Sequence, residues 1–99
     1  MDFERVEGFE CDEGNARKSV EKHGVSQSEA EQPFFNAPFL MSEDVRHSDG
    51  EPRFHALGKT DIGRLLHLTF TLRAEGTRLR VISARDMSRK ERNRYEQEN

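Results

Sequence analysis

Arginine and histidine recur at alternate positions through the second half of this chain. They stand at Arg53, His55, His67, Arg73, Arg78 and Arg80, with Thr69 and Thr71 between them. Side chains two residues apart on a strand share a face, so this spacing gathers them on one side of a sheet. Guanidinium donates paired hydrogen bonds to phosphate oxygens and stays charged. Imidazole, with an unperturbed pKa of roughly 6.5, takes and gives protons near neutrality. Such a set suits a phosphodiester. Cleavage of RNA without a metal uses the substrate's own 2′-hydroxyl as nucleophile. It needs a proton acceptor, cations around the phosphorane and an acid for the leaving 5′-oxygen.

Arg53, Arg73, Arg80 and Arg85 are the candidates for the cationic role, though strand arginines also serve simply to keep an exposed face soluble. His47 and Glu51 precede Arg53 in a polar stretch. His47 can exchange protons, and Glu51 can act as a base or orient Arg53. The same stretch, with Asp49-Gly50, also reads as an ordinary turn. His55, His67, Arg85 and Lys90 are candidate RNA contacts, with Tyr95 as a stacking platform for a base; a lone tyrosine is otherwise a core or rim residue. No regular ligand spacing links His47, His55 and His67, so neither a metal nor another cofactor is expected.

The elements that must position these groups follow from alternation and turn chemistry. Leu66, Leu68, Phe70 and Leu72 alternate, as do Leu79 and Val81. For both sets to face one core, even positions must pair with odd ones across the turn, because a one-residue slip exchanges the faces. A two-residue Glu75-Gly76 turn does this, placing Arg73 opposite Arg78 and Thr71 opposite Arg80. A three-residue Asp61-Ile62-Gly63 loop, with Gly63 left-handed, brings Phe54 and Ala56 to the same core and sets Arg53 opposite Thr71. Strands are expected over 53–59, 64–73 and 77–85. Upstream, residues 3–11 alternate weakly, enough for a short strand. Asp12 is placed to cap a helix ending near His23, with Gly24 as its left-handed terminator. Ser26 and Glu29 form a capping box for a second helix that Pro33 should stop, with Ala30, Phe34 and Phe35 as its core contacts. A short strand is expected over 38–41 and a loop over 42–52. Ser88 and Glu91 form another capping box and open a basic C-terminal helix, beyond which 96–99 should fray.

Composition bounds the rest. Ninety-nine residues, 32% of them hydrophobic and 35% charged, make a single domain over 1–99 with a thin core that a partner can help stabilise. The net charge of −3 hides an asymmetry: residues 1–52 carry 13 acidic against 5 basic side chains, and 53–99 carry 6 against 11. A basic half of this kind points to nucleic acid, and the acidic half to a basic protein segment. No apolar run approaches a membrane span and no export signal opens the chain, so a cytoplasmic protein is expected. Cys11 is the single cysteine, which excludes an internal disulfide.

Several segments resemble the BrnT-type toxins of BrnT/BrnA type II toxin–antitoxin systems. They are Phe9-Glu10-Cys11-Asp12, Glu21-Lys22-His23-Gly24-Val25-Ser26, Arg46-His47-Ser48-Asp49-Gly50-Glu51 with Arg53, Ala56-Leu57-Gly58-Lys59-Thr60, Ile82-Ser83-Ala84-Arg85 and Ser88-Arg89-Lys90-Glu91-Arg92. They run in the family's order along nearly the whole chain. Cys11 stands where the family usually has tryptophan, and Pro33 interrupts a usually continuous helix. The resemblance implies an α+β, RelE-like fold, with a small antiparallel-rich sheet, two N-terminal helices on one face and a C-terminal helix. It also implies an endoribonuclease neutralised by a ribbon-helix-helix antitoxin, in a 2:2 heterotetramer that touches operator DNA only through the antitoxin. The alternative is a non-catalytic module that holds the antitoxin as co-repressor. A DNA-binding domain acting alone fits least, since no helix-turn-helix pattern is present.

Overall fold

Alternation along 65–73 separates two surfaces. Leu66, Leu68 and Phe70 are fully buried, and His67 and Thr69 between them are half-buried on the other side. The computed structural model describes residues 7–10, 17, 20–44, 52–73 and 78–98. Its strands are β1 (Gly8–Phe9), β2 (Leu40–Glu43), β3 (Arg53–Lys59), β4 (Leu65–Arg73) and β5 (Arg78–Asp86). A helix α1, described over 20–23, precedes α2 (Gln27–Glu31), which runs on into a 3-10 turn (Gln32–Phe35). Helix α3 (Arg89–Gln97) ends the chain. The strands form one sheet in the order β1-β5-β4-β3-β2, with β1 parallel to β5 and the other pairs antiparallel. This is the expected α+β architecture.

The expected pairings of Arg53 with Thr71, Thr71 with Arg80 and Arg73 with Arg78 are all present. Thr60 N donates to Arg64 O at 2.9 Å, closing the three-residue loop, and Gly63 takes φ 87°. One feature of β5 departs from simple alternation. Phe70 opposes Val81 but Thr69 opposes Ser83, so Ile82 is an extra residue that makes a bulge. Beyond it the parity changes: Ala84 enters the core, and Arg85 turns onto the face of His67. Bulges re-aim the side chains that follow them.

The main core joins Phe54, Ala56, Leu66, Leu68, Phe70, Leu79 and Val81 to Val25 and Ala30, with Phe34 packed against it. Phe70 meets Phe34 edge-on, centroids 5.0 Å apart, and stacks on Phe54 at 5.4 Å. The capping box of Ser26 and Glu29 starts α2, and the helix gives way to the 3-10 turn just before Pro33. Phe35 is not a core residue as expected: it is 78% exposed, because the tighter turn points it outward beside Phe9. Strand β2 begins two residues later than expected, since Pro38 has no N–H for the ladder.

A second, smaller core lies on the opposite face, where α3 covers one end of the sheet. Leu57, Met87 and Tyr95 form it, with Leu40 and Leu65 packed against them. Arg64 ties the elements together. Its Nε and Nη2 donate to the Asp86 carboxylate, Nη1 donates to Glu29 Oε2 and Gly24 O, and Nη2 also donates to His23 O. Gly24, at φ 64°, turns the end of α1 so that these carbonyls can be reached. The expected cap at Asp12, the Asp49-Gly50 and Glu75-Gly76 turns, Cys11, His47 and Glu51 all lie outside the described residues.

Candidate nucleic-acid interface

Cross-strand pairing turns the polar face into a ladder of rungs. Across β3, β4 and β5 these are Arg53–Thr71–Arg80, then His55–Thr69–Ser83, then Leu57–His67–Arg85. Arg73 and Arg78 add a rung beyond the first. Successive rungs are about 6–7 Å apart along a strand. The middle rung carries short hydroxyl side chains at Thr69 and Ser83, between arginines on one side and His67 with Arg85 on the other. The bulge at Ile82 makes this possible, by placing Arg80 and Arg85 on one face despite their odd separation.

Helix α3 closes the far end. Ser88 caps it, with its hydroxyl accepting from Glu91 N and its own N donating to Glu91 Oε1 at 2.9 Å. This box aims the Glu91 carboxylate back at the sheet. Arg85 grips it through Nη1 to Oε1 at 2.8 Å and Nη2 to Oε2 at 3.0 Å. Arg85 above all, and then the Ser88 amide, hold the Glu91 carboxyl down at about 2 against the cost of burial, so it is an anion throughout the physiological range. His67 Nε2 lies 3.8 Å from Glu91 Oε2. Burial, followed by the neighbouring Arg85 charge, pushes the His67 imidazole below its ordinary value, only partly offset by Glu91.

His55 is held differently. Its Nδ1 is 3.0 Å from Thr69 Oγ1 and its Nε2 is 2.8 Å from Asp44 Oδ2, so both ring nitrogens are engaged. The two imidazole rings lie 5.3 Å apart. With Leu40, Leu57, Glu91 and Arg94 they line a pocket of about 210 Å³ between β2, β3 and α3.

The fold therefore brings Arg53, Arg73, Arg80, Arg85, His55 and His67 to one face. Arg73 Nε is 3.4 Å from Glu10 Oε1, which ties it toward β1. Lys90 is exposed on the first turn of α3. Tyr95 requires a correction. It is 1% exposed in the second core, with its hydroxyl donating to Pro38 O at 2.7 Å, so its ring is not open to a stacked base. The sequence reading missed Asp44 and Glu91 as partners of the histidines. Glu91 was legible only as a helix cap, and the one signal for Asp44 is its place two residues beyond Ser42, which pairs with His55. Among the described residues no group of three or more His, Cys, Asp or Glu could hold a metal, and no helix is long and apolar enough to cross a membrane.

Residues 11–91 match a family model described as ribonuclease toxin, BrnT, of type II toxin-antitoxin system. No curated protein matches the chain. Among solved structures, the fold is similar to that of the Brucella abortus ribonuclease toxin BrnT, with a TM-score of 0.60 and 20% sequence identity. The alignment covers 85% of this chain and 100% of that one.

Proposed function

The chain belongs to the BrnT family of ribonuclease toxins of type II toxin–antitoxin systems, and on that premise we propose that it cleaves RNA without a metal on the polar face of its sheet. The observation that carries this reading is the pair of adjacent rungs, Arg53–Thr71–Arg80 and His55–Thr69–Ser83. Arg53 and Arg80 lie on either side of Thr71, whose hydroxyl donates to Pro52 O and anchors the start of β3. Two guanidinium groups converging on one phosphate stabilise the charge that grows as the 2′-oxygen attacks. Arg73 extends this field. Arg85, His55, His67 and Lys90 contact the RNA on either side of the cut. His47 exchanges protons from the segment leading into β3, where Glu51 orients Arg53 or acts as a base.

A ribbon-helix-helix antitoxin neutralises the toxin in a 2:2 heterotetramer in the cytoplasm and alone touches operator DNA. The acidic N-terminal half suits a basic antitoxin segment. A second reading, the non-catalytic co-repressor, draws on the carboxylates that already engage Arg73 and Arg85. Expression without antitoxin separates the two. A toxin arrests growth, and Arg53→Ala or Arg80→Ala relieves the arrest while antitoxin still co-purifies. A co-repressor causes no arrest in any form.

A further inference from the structure

We propose that His67 takes the 2′-hydroxyl proton during cleavage and that Glu91 steadies the imidazolium so formed. The inference rests on the ribonuclease reading and assigns its proton acceptor to a strand position, where the backbone fixes the side chain better than a loop does.

Position comes first. A phosphate seated over the Thr69 and Ser83 hydroxyls has the Arg53–Thr71–Arg80 rung on one side and His67 with Arg85 on the other. The imidazole therefore stands across the reacting group from the arginines, where a 2′-hydroxyl can approach it. The pocket beside His67, of about 210 Å³, gives that approach room.

Hydrogen-bond accounting separates the two histidines. His55 has both nitrogens occupied, by Thr69 and Asp44. It supports the floor of the site and can meet RNA through its ring, with no nitrogen to spare as a proton acceptor. His67 Nε2 sits 3.8 Å from Glu91 Oε2, beyond a formed hydrogen bond yet close enough for an ion pair. Glu91 Oε1 already accepts from Arg85 and Ser88, and Oε2 from Arg85 alone. A carboxylate oxygen has two acceptor positions, so one remains on Oε2, the oxygen nearest His67. A proton arriving on His67 thus finds an anion beside it that is already ionised.

The charges around His67 come from every packed element: His55 on β3, Arg85 on β5, and Glu91 and Arg94 on α3, with Asp44 behind His55. Burial and Arg85 favour the neutral ring, which is the form a proton acceptor needs. In the reaction the 2′-oxygen loses its proton to His67 Nε2 and bonds to the adjacent phosphorus. The bond from phosphorus to the 5′-oxygen breaks, and that oxygen takes a proton from water. The products are a 2′,3′-cyclic phosphate and a free 5′-hydroxyl, and the imidazolium returns its proton to solvent.

The test is single-turnover cleavage, in EDTA, of an oligonucleotide with a single ribose, by the wild type, His67→Gln and His67→Ala. RNA affinity and melting temperature are measured alongside, over about pH 5 to 8, the range in which imidazole titrates. The wild-type rate should fall as pH drops through a range below the ordinary imidazole value of roughly 6.5, since burial and Arg85 lower His67. His67→Gln should be slower by about 10²–10⁴, lose that acid limb and still bind RNA. Added imidazole should restore His67→Ala in proportion to its neutral fraction. A folded, RNA-binding His67→Gln that keeps the wild-type rate or acid limb overturns the proposal. So does a folded His67→Ala that imidazole does not restore. A wild type that cleaves no RNA overturns the ribonuclease reading beneath it.

Discussion

Leu66, Leu68 and Phe70 point to one side of β4 and are fully buried, while His67, Thr69 and Arg73 point to the other and are half-buried. The apolar side is sealed by α2, the 3-10 turn and a run of ring contacts from Phe34 through Phe70 to Phe54. Among the described residues, the polar side is sealed at the α3 end, by Leu57, Met87 and Tyr95. Between the sealed end and the arginine rungs lies the strip that holds His55, His67 and their carboxylate partners. One strand thus divides two tasks by parity. Stability resides where water is excluded, and the proposed chemistry where exclusion is partial enough to shift a pKa and still admit a substrate.

The largest expected effect breaks the apolar side. Phe70→Ala should cost about 3–5 kcal/mol, because the emptied space is bounded by rings that cannot all collapse into it. Denaturant unfolding at equilibrium measures it. Next comes acid. Glu91 has its carboxyl lowered to about 2 in the fold and returns to roughly 4.3 in the unfolded chain. Its contribution, about 2–3 kcal/mol, is complete above the unfolded value and lost as pH falls from there toward 2. Glu91→Gln should flatten this acid loss, as read from melting temperatures against pH.

Two smaller changes sharpen the contrast within the polar side. Tyr95→Phe removes the hydrogen bond to Pro38 O and should cost about 1 kcal/mol of stability with RNA affinity unchanged. Lys90→Ala, on the exposed turn of α3, should leave stability unchanged and reduce the slope of log affinity against log salt by about 0.7. Equal effects of the two on RNA affinity would erase the distinction between the sealed end and the open surface.

Strand registers were legible because period-two patterning and turn length together admit a single pairing, and Arg53, Thr71 and Arg80 lie where that pairing put them. The bulge was not, because Val81 and Ile82 are adjacent apolar residues and nothing local says which of them is the extra one. Tyr95 is hard to place from sequence for a related reason: α3 carries four basic side chains among nine residues, and its one buried ring leaves little periodic signal. The partners of Arg64 lie 22 residues later and 35 to 41 residues earlier in the chain, separations that no spacing rule reaches. Elements and faces were therefore readable in advance. Contacts that join distant segments, including those of Asp44 with His55 and Glu91 with His67, needed the fold.

The most direct test of the division between the two faces is metal-free RNA cleavage by purified wild type, Arg53→Ala and Arg80→Ala, with the unfolding midpoint of each. Each substitution should slow cleavage by about 10²–10³ while the midpoint barely moves, since neither side chain enters the apolar core. Wild-type cleavage rates in both variants would contradict the assignment of catalysis to the polar face.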